Sequence, residues 1–362
     1  MEKQIALIHP IVAHYRQEFF QQLNSKIKSD IYVFEDVAKA KEAYFALGDC
    51  GEIHLKAVEK AGLTFFSPFP LLSSKYKVIV LMWNFSHLTN WLLLLTKFIH
   101  RKKIILWGHG ISVKRYLQEE QKPDWKLKAQ LSLADGAWTY MPKECEQWKV
   151  IFPQKKMVFL NNTISGVADI VKYDSKAYKE RSRVKHNIIQ KKILLFCARF
   201  ENPNRRIDLL LKAIENLPSD IYGFIIIGDG KLKPDFSQYD NVYDYGAVYD
   251  EDLKRELFAA SDIYFQPGWI GLSIVEAMAY NLPIFTFKRS SSTLQCVEYS
   301  YIIDKRNGVL LDEESNFVSV IESLSDENIE WMGDNARDFV RKEATMSQMV
   351  DRAMNVINSI WE

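Results

Sequence analysis

The sequence contains few cysteines, and they are far apart. Cys50, Cys145, Cys197 and Cys296 form no Cys-x-x-Cys pair, so we expect neither a disulfide framework nor a zinc site, as suits a reducing compartment. The apolar run at residues 91–95 is interrupted by a lysine at position 97 and is too short to span a bilayer. The N-terminal stretch MEKQIALIHP lacks the apolar segment of a signal peptide. These absences predict a cytoplasmic protein, either soluble or peripheral on the inner face of the cytoplasmic membrane.

Charge is nearly balanced over the whole chain but is unevenly divided along it. The formal net charge is +1, yet residues 1–165 hold 23 Lys and Arg against 15 Asp and Glu, which gives +8. The remainder holds 24 basic and 31 acidic residues, which gives −7. A basic first half could face an anionic partner, such as a phosphorylated acceptor or an anionic membrane surface. Solvated lysines without a partner are the alternative, and no nucleic-acid partner is expected.

One stretch of the first half combines apolar and basic residues. Residues 89–103 read TNWLLLLTKFIHRKK, and further lysines and an arginine follow up to position 128. This composition is typical of a surface that dips into an anionic leaflet. The alternative, which we favour for the leucines, is a core helix of the first sheet.

Short apolar segments alternate with helical patterns along the chain. Strands are predicted at residues 5–8, 31–34, 78–82, 104–106, 136–140, 158–160, 193–197, 222–227, 242–243, 263–265 and 284–287. This alternation is typical of an α/β fold with parallel, doubly wound sheets. We expect two facing Rossmann-like domains, residues 1–168 and 169–344, and a C-terminal helix, residues 345–362, that returns to the first domain. The polar stretch 172–192 is predicted to mark the boundary between the two domains.

The segment YFQPGWIGLSIVEAMAYNLPIFTF, residues 264–287, shows a strand, a glycine-bearing loop, a helix and a second strand. Ser273 and Glu276 stand three apart at the predicted helix start, the spacing of a capping box. Backbone N–H groups at such a helix end can receive a phosphate or another polar ligand. The alternative is an ordinary crossover whose glycines only turn the chain.

Four segments together resemble the retaining glycosyltransferases of family four (group 1), which have the GT-B fold. They are CARFENPNRRIDLLLKAI at 197–214, IIIGDGKLKP at 225–234, YGAVYDEDLKRELFAASDIYFQP at 245–267, and the segment 264–287. Their order and spacing match the family over about half of the chain. The first segment carries one residue more than the family in its loop. The N-terminal half resembles the family mainly in its pattern of elements.

The resemblance implies a set of donor-binding residues. Arg199 and Arg205 match the two cations that bind the donor diphosphate, where negative charge develops as the glycosidic bond breaks. Arg206 is an alternative to Arg205 because of the extra loop residue. Glu276 matches a glutamate that accepts hydrogen bonds from the nucleotide ribose. Further donor contacts are expected from Gly228, Gly246 and Gly268, and from the backbone of Ile270, Gly271, Leu272 and Ser273.

Two features depart from the family or match it less closely. Gly268 stands where the family has a glutamate that contacts the donor sugar, so we expect an altered donor preference or pose. In the first half, His109 lies in Trp107-Gly108-His109-Gly110 after a strand. It corresponds to a family histidine near the transferred sugar. His14 and Arg16 are candidate acceptor contacts, although their loop lacks the glycines of the family.

The resemblance also implies the chemistry. A sugar would pass from a UDP- or GDP-linked donor, without a cofactor, to a saccharide or lipid-linked saccharide acceptor in bacterial surface-polysaccharide assembly (capsule, O-antigen or lipopolysaccharide). No convincing Asp-x-Asp metal site is present, and Asp250-Glu251-Asp252 reads as a helix N-terminus; no metal is expected. Two alternatives remain, a non-catalytic GT-B accessory or glycan-binding subunit and a nucleotide-sugar epimerase of similar fold.

Overall fold

A computed structural model describes residues 4–35, 46–313 and 316–361. The chain forms two compact units, Met1–Ser165 with Met346–Glu362, and Gly166–Thr345. Each unit is built around one parallel sheet with helices in the connections between its strands. The predicted α/β fold with parallel sheets is therefore confirmed.

The N-terminal unit holds a seven-stranded sheet with the strand order β3-β2-β1-β6-β7-β8-β9. Its strands are β1 (Gln4–His9), β2 (Ser29–Val33), β3 (Ile53–His54), β6 (Tyr76–Met82), β7 (Lys103–Gly108), β8 (Gly136–Thr139) and β9 (Lys156–Phe159), and an antiparallel hairpin adds β4 (Ala57–Lys60) and β5 (Leu63–Phe66). Its helices are Gln17–Lys26, Leu88–Leu95, Lys97–His100, Tyr116–Gln121, Trp125–Leu133, Pro142–Ile151 and Met346–Trp361, with 3-10 turns at His14–Arg16, Phe69–Leu72 and Val113–Arg115. The strand order reverses between β1 and β6, which creates a crevice at their carboxyl ends.

The C-terminal unit holds a six-stranded sheet with the order β12-β11-β10-β13-β14-β15. Its strands are β10 (Lys192–Cys197), β11 (Tyr222–Ile227), β12 (Val242–Asp244), β13 (Ile263–Phe265), β14 (Ile284–Phe287) and β15 (Gly308–Leu311). Its helices are Val167–Lys172, Ser175–Lys185, Ile207–Asn216, Glu251–Ala260, Ser273–Ala279, Phe317–Glu322 and Asp326–Glu343, with 3-10 turns at Pro203–Arg205 and Val297–Tyr301. Here the order reverses between β10 and β13.

The central strands contain continuous apolar runs because helices cover both faces of each sheet. In β10 the residues Ile193, Leu194, Leu195 and Phe196 are all buried. The same holds for residues 78–81 of β6 and residues 104–107 of β7. The C-terminal helix Met346–Trp361 closes the N-terminal unit by packing its apolar face on the helix Gln17–Lys26 and on β8 and β9.

The polar stretch 172–192, predicted to mark the boundary between the two domains, belongs to the C-terminal unit. Most of it forms the helix Ser175–Lys185, which packs on the helix Glu251–Ala260. Its Arg183 donates to the Ala260 carbonyl at 3.0 Å and to Asp262 at 2.5 Å. Basic residues of this helix thus pair with acidic residues of the same unit. The unit boundary lies at Ser165/Gly166 instead.

The apolar run near residue 92 is only half buried, which corrects the core interpretation of its leucines. Leu93 and Leu94 are buried, whereas Leu92 and Leu95 are exposed on the other side of the helix Leu88–Leu95. Phe98 is 77% exposed and Ile99 67% exposed in the short helix that follows. No helix in the described part of the chain combines the length and apolarity needed to cross a bilayer.

Candidate functional site

The carboxyl ends of β10 and β13 bring the predicted donor residues of the C-terminal unit to one edge of its sheet. Arg199 follows β10, and the loop that contains Gly268 follows β13. These strands are neighbours at the point where the strand order reverses. Open α/β sheets bind their ligands in the crevice at this point. The fold therefore makes this edge the candidate site.

Two glycines after β11 fix the backbone on either side of Arg199. Gly228 and Gly230 have φ values of 142° and 144°, which L residues rarely adopt. A Cβ at Gly228 would lie 2.0 Å from the Ala198 carbonyl oxygen, and one at Gly230 would lie 2.7 Å from the Phe200 carbonyl oxygen. The loop can therefore run directly beside residues 198–200. Both positions therefore require glycine, because the loop that they form packs against the backbone on either side of Arg199.

Gly246 supports the same loop from the other side. Its carbonyl accepts a hydrogen bond from the Gly228 N–H at 2.7 Å, and its φ is 63°. Gly228 and Gly246, both predicted donor contacts, are thus placed next to each other at the ends of β11 and β12. Their contact with a donor remains a prediction.

Arg205 is a partly buried cation without a carboxylate partner among the described residues. It ends the 3-10 turn Pro203–Arg205, and its Nη1 donates to the Trp269 carbonyl at 3.1 Å. Its Nε is buried and has no hydrogen-bond partner in the described part of the chain. Burial lowers the pKa of Arg205, and the like charge of Arg199 adds to this effect. A guanidinium group in this setting, with a second positive charge nearby, favours an anion.

Arg206, the alternative to Arg205, is already neutralised within the unit. Its guanidinium donates to Asp208 through Nη2 at 2.7 Å and to Glu313 through Nη1 at 2.6 Å, and it also bonds Thr293. The hydrogen bonds that Arg206 donates to Asp208, with those to Glu313, raise its pKa. These contacts tie the turn to residues near β15. Of the two arginines in the turn, Arg205 is thus the one without a carboxylate partner in the described part of the chain.

Gly268 has no room for a side chain. A Cβ built there would lie 2.3 Å from the Asn204 carbonyl oxygen and 2.9 Å from the Arg206 Cγ. The turn with the extra loop residue therefore passes directly against position 268. By contrast, a Cβ at Gly271 would meet no atom within 4 Å.

Two buried glutamines hold the loop 267–272. Gln266 Nε2 donates to the Trp269 carbonyl at 2.8 Å, and Gln295 Nε2 donates to the Pro267 carbonyl at 3.2 Å. Gln295 Oε1 accepts from the Ile270 N–H at 2.9 Å. The Ile270 N–H, which was predicted to face the donor, is thus used inside the protein. Gly271, Leu272 and Ser273 follow at the helix N-terminus and are partly exposed.

The predicted capping box of Ser273 and Glu276 is wrong. The helix Ser273–Ala279 has no side-chain cap, and Ser273 Oγ donates to Gln266 Oε1 at 3.3 Å. Glu276 instead forms a salt bridge with Lys254, whose Nζ lies 2.7 Å from Oε1. Both side chains are largely buried. The local spacing at a helix start gave no information on this long-range contact.

Lys254 was not identified from the sequence, although a signal for it existed. It belongs to the helix Glu251–Ala260, where Leu257 and Phe258 are buried three and four residues later. Positions i, i+3 and i+4 share one helix face. A lysine on that face is expected to point inward and to need a negative partner. Asp250 begins the same helix by accepting from the N–H groups of residues 252 and 253, as its N-terminal position predicts.

His109 follows β7 in the N-terminal unit and is exposed. Its ring packs edge-on against Tyr140, with 4.9 Å between the ring centroids. Its flanking glycines pack on tryptophans: a Cβ at Gly108 would lie 3.1 Å from Trp83 Cβ, and Trp148 Nε1 donates to the Gly110 carbonyl at 2.8 Å. The packing of the two glycines thus fixes the backbone that carries His109. His109 follows β7, the neighbour of β6, and β6 borders the crevice between β1 and β6.

The two candidate acceptor residues lie in different environments. Arg16 is 3% exposed, and its guanidinium donates to Asn162 and to the Met349 sulfur, which lies 3.6 Å away. This corrects its predicted role, since Arg16 packs inside the N-terminal unit. His14 is exposed, and its Nδ1 lies 3.0 Å from the Ala46 carbonyl oxygen. His14 thus keeps an accessible position.

Neither a metal-binding cluster nor a further cavity provides a second candidate site among the described residues. Among the described residues, no group of three or more His, Cys, Asp and Glu side chains is arranged to hold a metal ion. A cavity of about 380 Å³ opens at the opposite edge of the C-terminal sheet, lined by Lys179, Arg183, Lys192 and Asp262 among others. Lys179, Arg183 and Lys192 pair there with Asp262 and Asp326. The cavity lies at the amino ends of β10 and β13 and is therefore separate from the candidate site.

Comparison with known proteins supports the assignment of the C-terminal unit. Residues 191–327 match the family model described as glycosyl transferases group 1. This region includes Arg199, Arg205, Lys254 and Glu276. This part of the C-terminal unit is therefore similar to a group 1 glycosyltransferase domain, and the match supports a glycosyltransferase activity. No curated protein sequence matches the chain.

Solved structures are similar to the chain over almost its full length. HepE of Anabaena, solved in complex with UDP-glucose, is 14% identical with a TM-score of 0.62, and 98% of this chain and 99% of that one are covered. The lipopolysaccharide outer core galactosyltransferase WaaB is 14% identical with a TM-score of 0.65 at the same coverage. WaaG, a glycosyltransferase involved in lipopolysaccharide biosynthesis, is 15% identical with a TM-score of 0.56, again at that coverage. These similarities show a GT-B fold.

Proposed function

We propose that this protein is a retaining glycosyltransferase that transfers a sugar from a UDP- or GDP-linked donor to a saccharide acceptor. The observation that carries the proposal is Arg205, whose Nε is buried without a hydrogen-bond partner and whose guanidinium has no carboxylate partner among the described residues. Its positive charge lies near that of Arg199. The nucleoside diphosphate leaving group gains negative charge as the bond to the sugar breaks. Two fixed guanidinium groups would stabilise that charge.

The other donor contacts follow from the same sheet edge. Glu276 lies in the first turn of the helix that follows the loop after β13, and its carboxylate oxygens can accept hydrogen bonds from the ribose hydroxyls. UDP-glucose is bound by HepE, which has a similar fold, and this supports a nucleotide-sugar donor here. Gly268 offers no side chain to the sugar, so we propose a donor preference or pose that differs from that of family members with glutamate.

The proposed reaction needs no cofactor or metal. The acceptor hydroxyl oxygen bonds to the anomeric carbon on the face from which the diphosphate departs, and the hydroxyl proton passes to the leaving phosphate. Arg199 and Arg205 supply the positive charge that a metal ion provides in other transferases. His109 is proposed to donate a hydrogen bond to a hydroxyl of the transferred sugar.

We further propose that the acceptor is a lipid-linked saccharide in bacterial surface-polysaccharide assembly. Exposed Leu92, Leu95, Phe98 and Ile99 form an apolar surface, which we call the apolar ridge. Exposed basic residues follow at positions 101 and 103, and residues 1–165 carry a net charge of +8. Apolar side chains beside cations suit the surface of an anionic bilayer. This supports peripheral association with the inner face of the cytoplasmic membrane.

Thermal unfolding with nucleotides tests the donor site. UDP or GDP should raise the melting temperature of the full chain, because a ligand that binds only the folded state stabilises it. Arg205→Gln should abolish most of this shift. Arg255→Gln, at a half-exposed arginine that pairs with Asp252, is the matched control and should keep it. The absence of a shift with either nucleotide, or a normal shift in Arg205→Gln, would contradict the proposal.

Product analysis separates transfer from the two alternatives. Incubation with a panel of nucleotide sugars and a lipid extract should yield a glycosylated acceptor and free nucleoside diphosphate. A free altered sugar formed without acceptor would instead identify an epimerase. Nucleotide binding without turnover of any donor would favour an accessory subunit.

A further inference from the structure

We propose that Lys254 is a positioning residue for the nucleotide ribose, because it holds one oxygen of Glu276 so that the carboxylate presents its remaining acceptor sites to the vicinal hydroxyls. The inference rests on the proposed donor site and adds to it a residue that neither the family resemblance nor the motifs indicate. Lys254 would touch Glu276 and not the ribose.

The geometry of the pair fits this role. The Lys254 Nζ lies 2.7 Å from Glu276 Oε1, and the two side chains are 22% and 11% exposed. They come from two helices, Glu251–Ala260 and Ser273–Ala279, that flank β13 in the chain. The Lys254 ammonium also lies 5.9 Å from the centre of the Phe258 ring, so packing restricts it from a second side. Because each side chain is anchored on a different helix and is largely buried, the pair restricts the orientation of the Glu276 carboxylate.

The pair belongs to the same site as the arginines. Burial raises the pKa of the Cys197 thiol, at the end of β10, to about 12, and the charges of Lys254, Glu276 and Arg205 act on the same thiol. All three charged groups therefore surround the end of β10. The ion pair is thus part of the switch-point edge and not a distant surface contact.

The chemistry explains why Glu276 needs a partner. A carboxylate offers about four acceptor sites, and one ammonium group occupies only one of them. The terminal torsion of a glutamate has a broad distribution, and a fixed contact at Oε1 removes that freedom before the ligand binds. A bound nucleotide would also exclude water, which disfavours an unpaired carboxylate. The Lys254 ammonium supplies the countercharge that the Glu276 carboxylate needs beside the bound ribose.

The test compares a ribonucleotide with its 2′,3′-dideoxy analogue, which lacks both vicinal hydroxyls, on the full-length protein. Whichever of UDP and GDP binds is titrated calorimetrically beside ddUDP or ddGDP. The wild type should prefer the ribonucleotide by about 10- to 100-fold, as expected for hydrogen bonds to a charged group. Lys254→Met should weaken ribonucleotide binding about tenfold and leave binding of the dideoxynucleotide almost unchanged. The matched control Arg255→Met, one residue along the same helix, should keep the wild-type preference.

Two further variants keep the test decisive. Lys254→Arg retains a cation and should restore part of the preference. The double variant Lys254→Met/Glu276→Gln buries no unpaired charge, and it should bind the ribonucleotide as Glu276→Gln alone does. Equal weakening of both nucleotides in Lys254→Met, or weaker binding by the double variant than by Glu276→Gln, would overturn the positioning role. A wild type that binds no nucleotide would instead refute the donor site itself, so the two failures can be distinguished.

Discussion

The carbonyl oxygen of Asn204 occupies the space into which a side chain at Gly268 would extend. The distance from that oxygen to a Cβ at position 268 would be only 2.3 Å. The backbone of the turn that carries Arg205 is thus pressed against the loop after β13. The longer turn fills the space beside position 268, and only glycine leaves that space free. Packing therefore excludes a glutamate at this position in this chain.

Gly268→Ala is expected to destabilise the C-terminal unit by about 1–3 kcal/mol, the usual range for forcing an extra group into a packed site. The backbone oxygen of Asn204 cannot move without shifting the whole turn. Gly271→Ala is the matched control, because its Cβ would meet open space. Chemical denaturation of both variants measures the difference. Equal stability of the two variants would contradict the close contact.

His109→Ala is expected to lower kcat about 10- to 100-fold, the effect of removing one hydrogen bond that is made to a charged or reacting group. Nucleotide affinity should not change, since the proposed phosphate and ribose contacts lie in the C-terminal unit. The exposed His54 on β3 provides a control substitution, His54→Ala. Steady-state kinetics and nucleotide titration together check the prediction. A loss of nucleotide affinity in His109→Ala would assign the histidine to a different role.

Phe98→Ser with Ile99→Ser is expected to reduce binding to vesicles that contain anionic lipid by about tenfold or more, because each buried apolar side chain contributes about 1.5–3 kcal/mol. Co-sedimentation at low and high salt measures both the apolar and the ionic contributions. Val184→Ser removes an apolar side chain that is 77% exposed in the other unit, and it should leave binding unchanged. Equal binding by the wild type and the ridge variant would rule out the apolar ridge as the contact surface.

Acid is expected to destabilise the N-terminal unit through His9. Burial, with the nearby charge of Arg16, lowers the pKa of His9 to about 3. Between about pH 6.5 and pH 3, His9 is therefore protonated in the unfolded chain but neutral in the folded chain. The free energy of unfolding falls as the pH is lowered through this range. At pH 5 the loss should be about 2 kcal/mol. His9→Gln should flatten this part of the stability–pH curve, whereas His54→Gln should not; parallel curves for all three proteins would contradict the prediction.

The sequence predicts elements better than it predicts contacts between them. Continuous apolar runs such as that in β10 identify buried strands, because both faces of the sheet are covered. The hairpin of β4 and β5 was missed, since its outward positions are polar or exposed and its only local signal was Gly62. Short strands at the edge of a unit carry little periodic information.

The candidate site shows the same division. Arg199 and Arg205 were identified because a motif surrounds them, and the structure brings them to one sheet edge. The partners Lys254 and Gln295 were not identified, because each joins a residue more than twenty positions away. Local spacing places Lys254 on the inward face of its helix, but it does not indicate which distant residue the side chain meets. For the same reason Glu276 was interpreted as a cap and Arg206 as a substitute cation.

The return of the last helix to the first unit has a consequence for how the chain is made. The N-terminal unit consists of Met1–Ser165 and Met346–Glu362. Asp351 pairs with Lys26, and Val356 packs against Gly136, so this unit lacks part of its core until residues 346–361 leave the ribosome. The C-terminal unit is continuous in sequence and can fold while synthesis proceeds. The N-terminal unit therefore begins before the C-terminal unit in the chain but is completed after it.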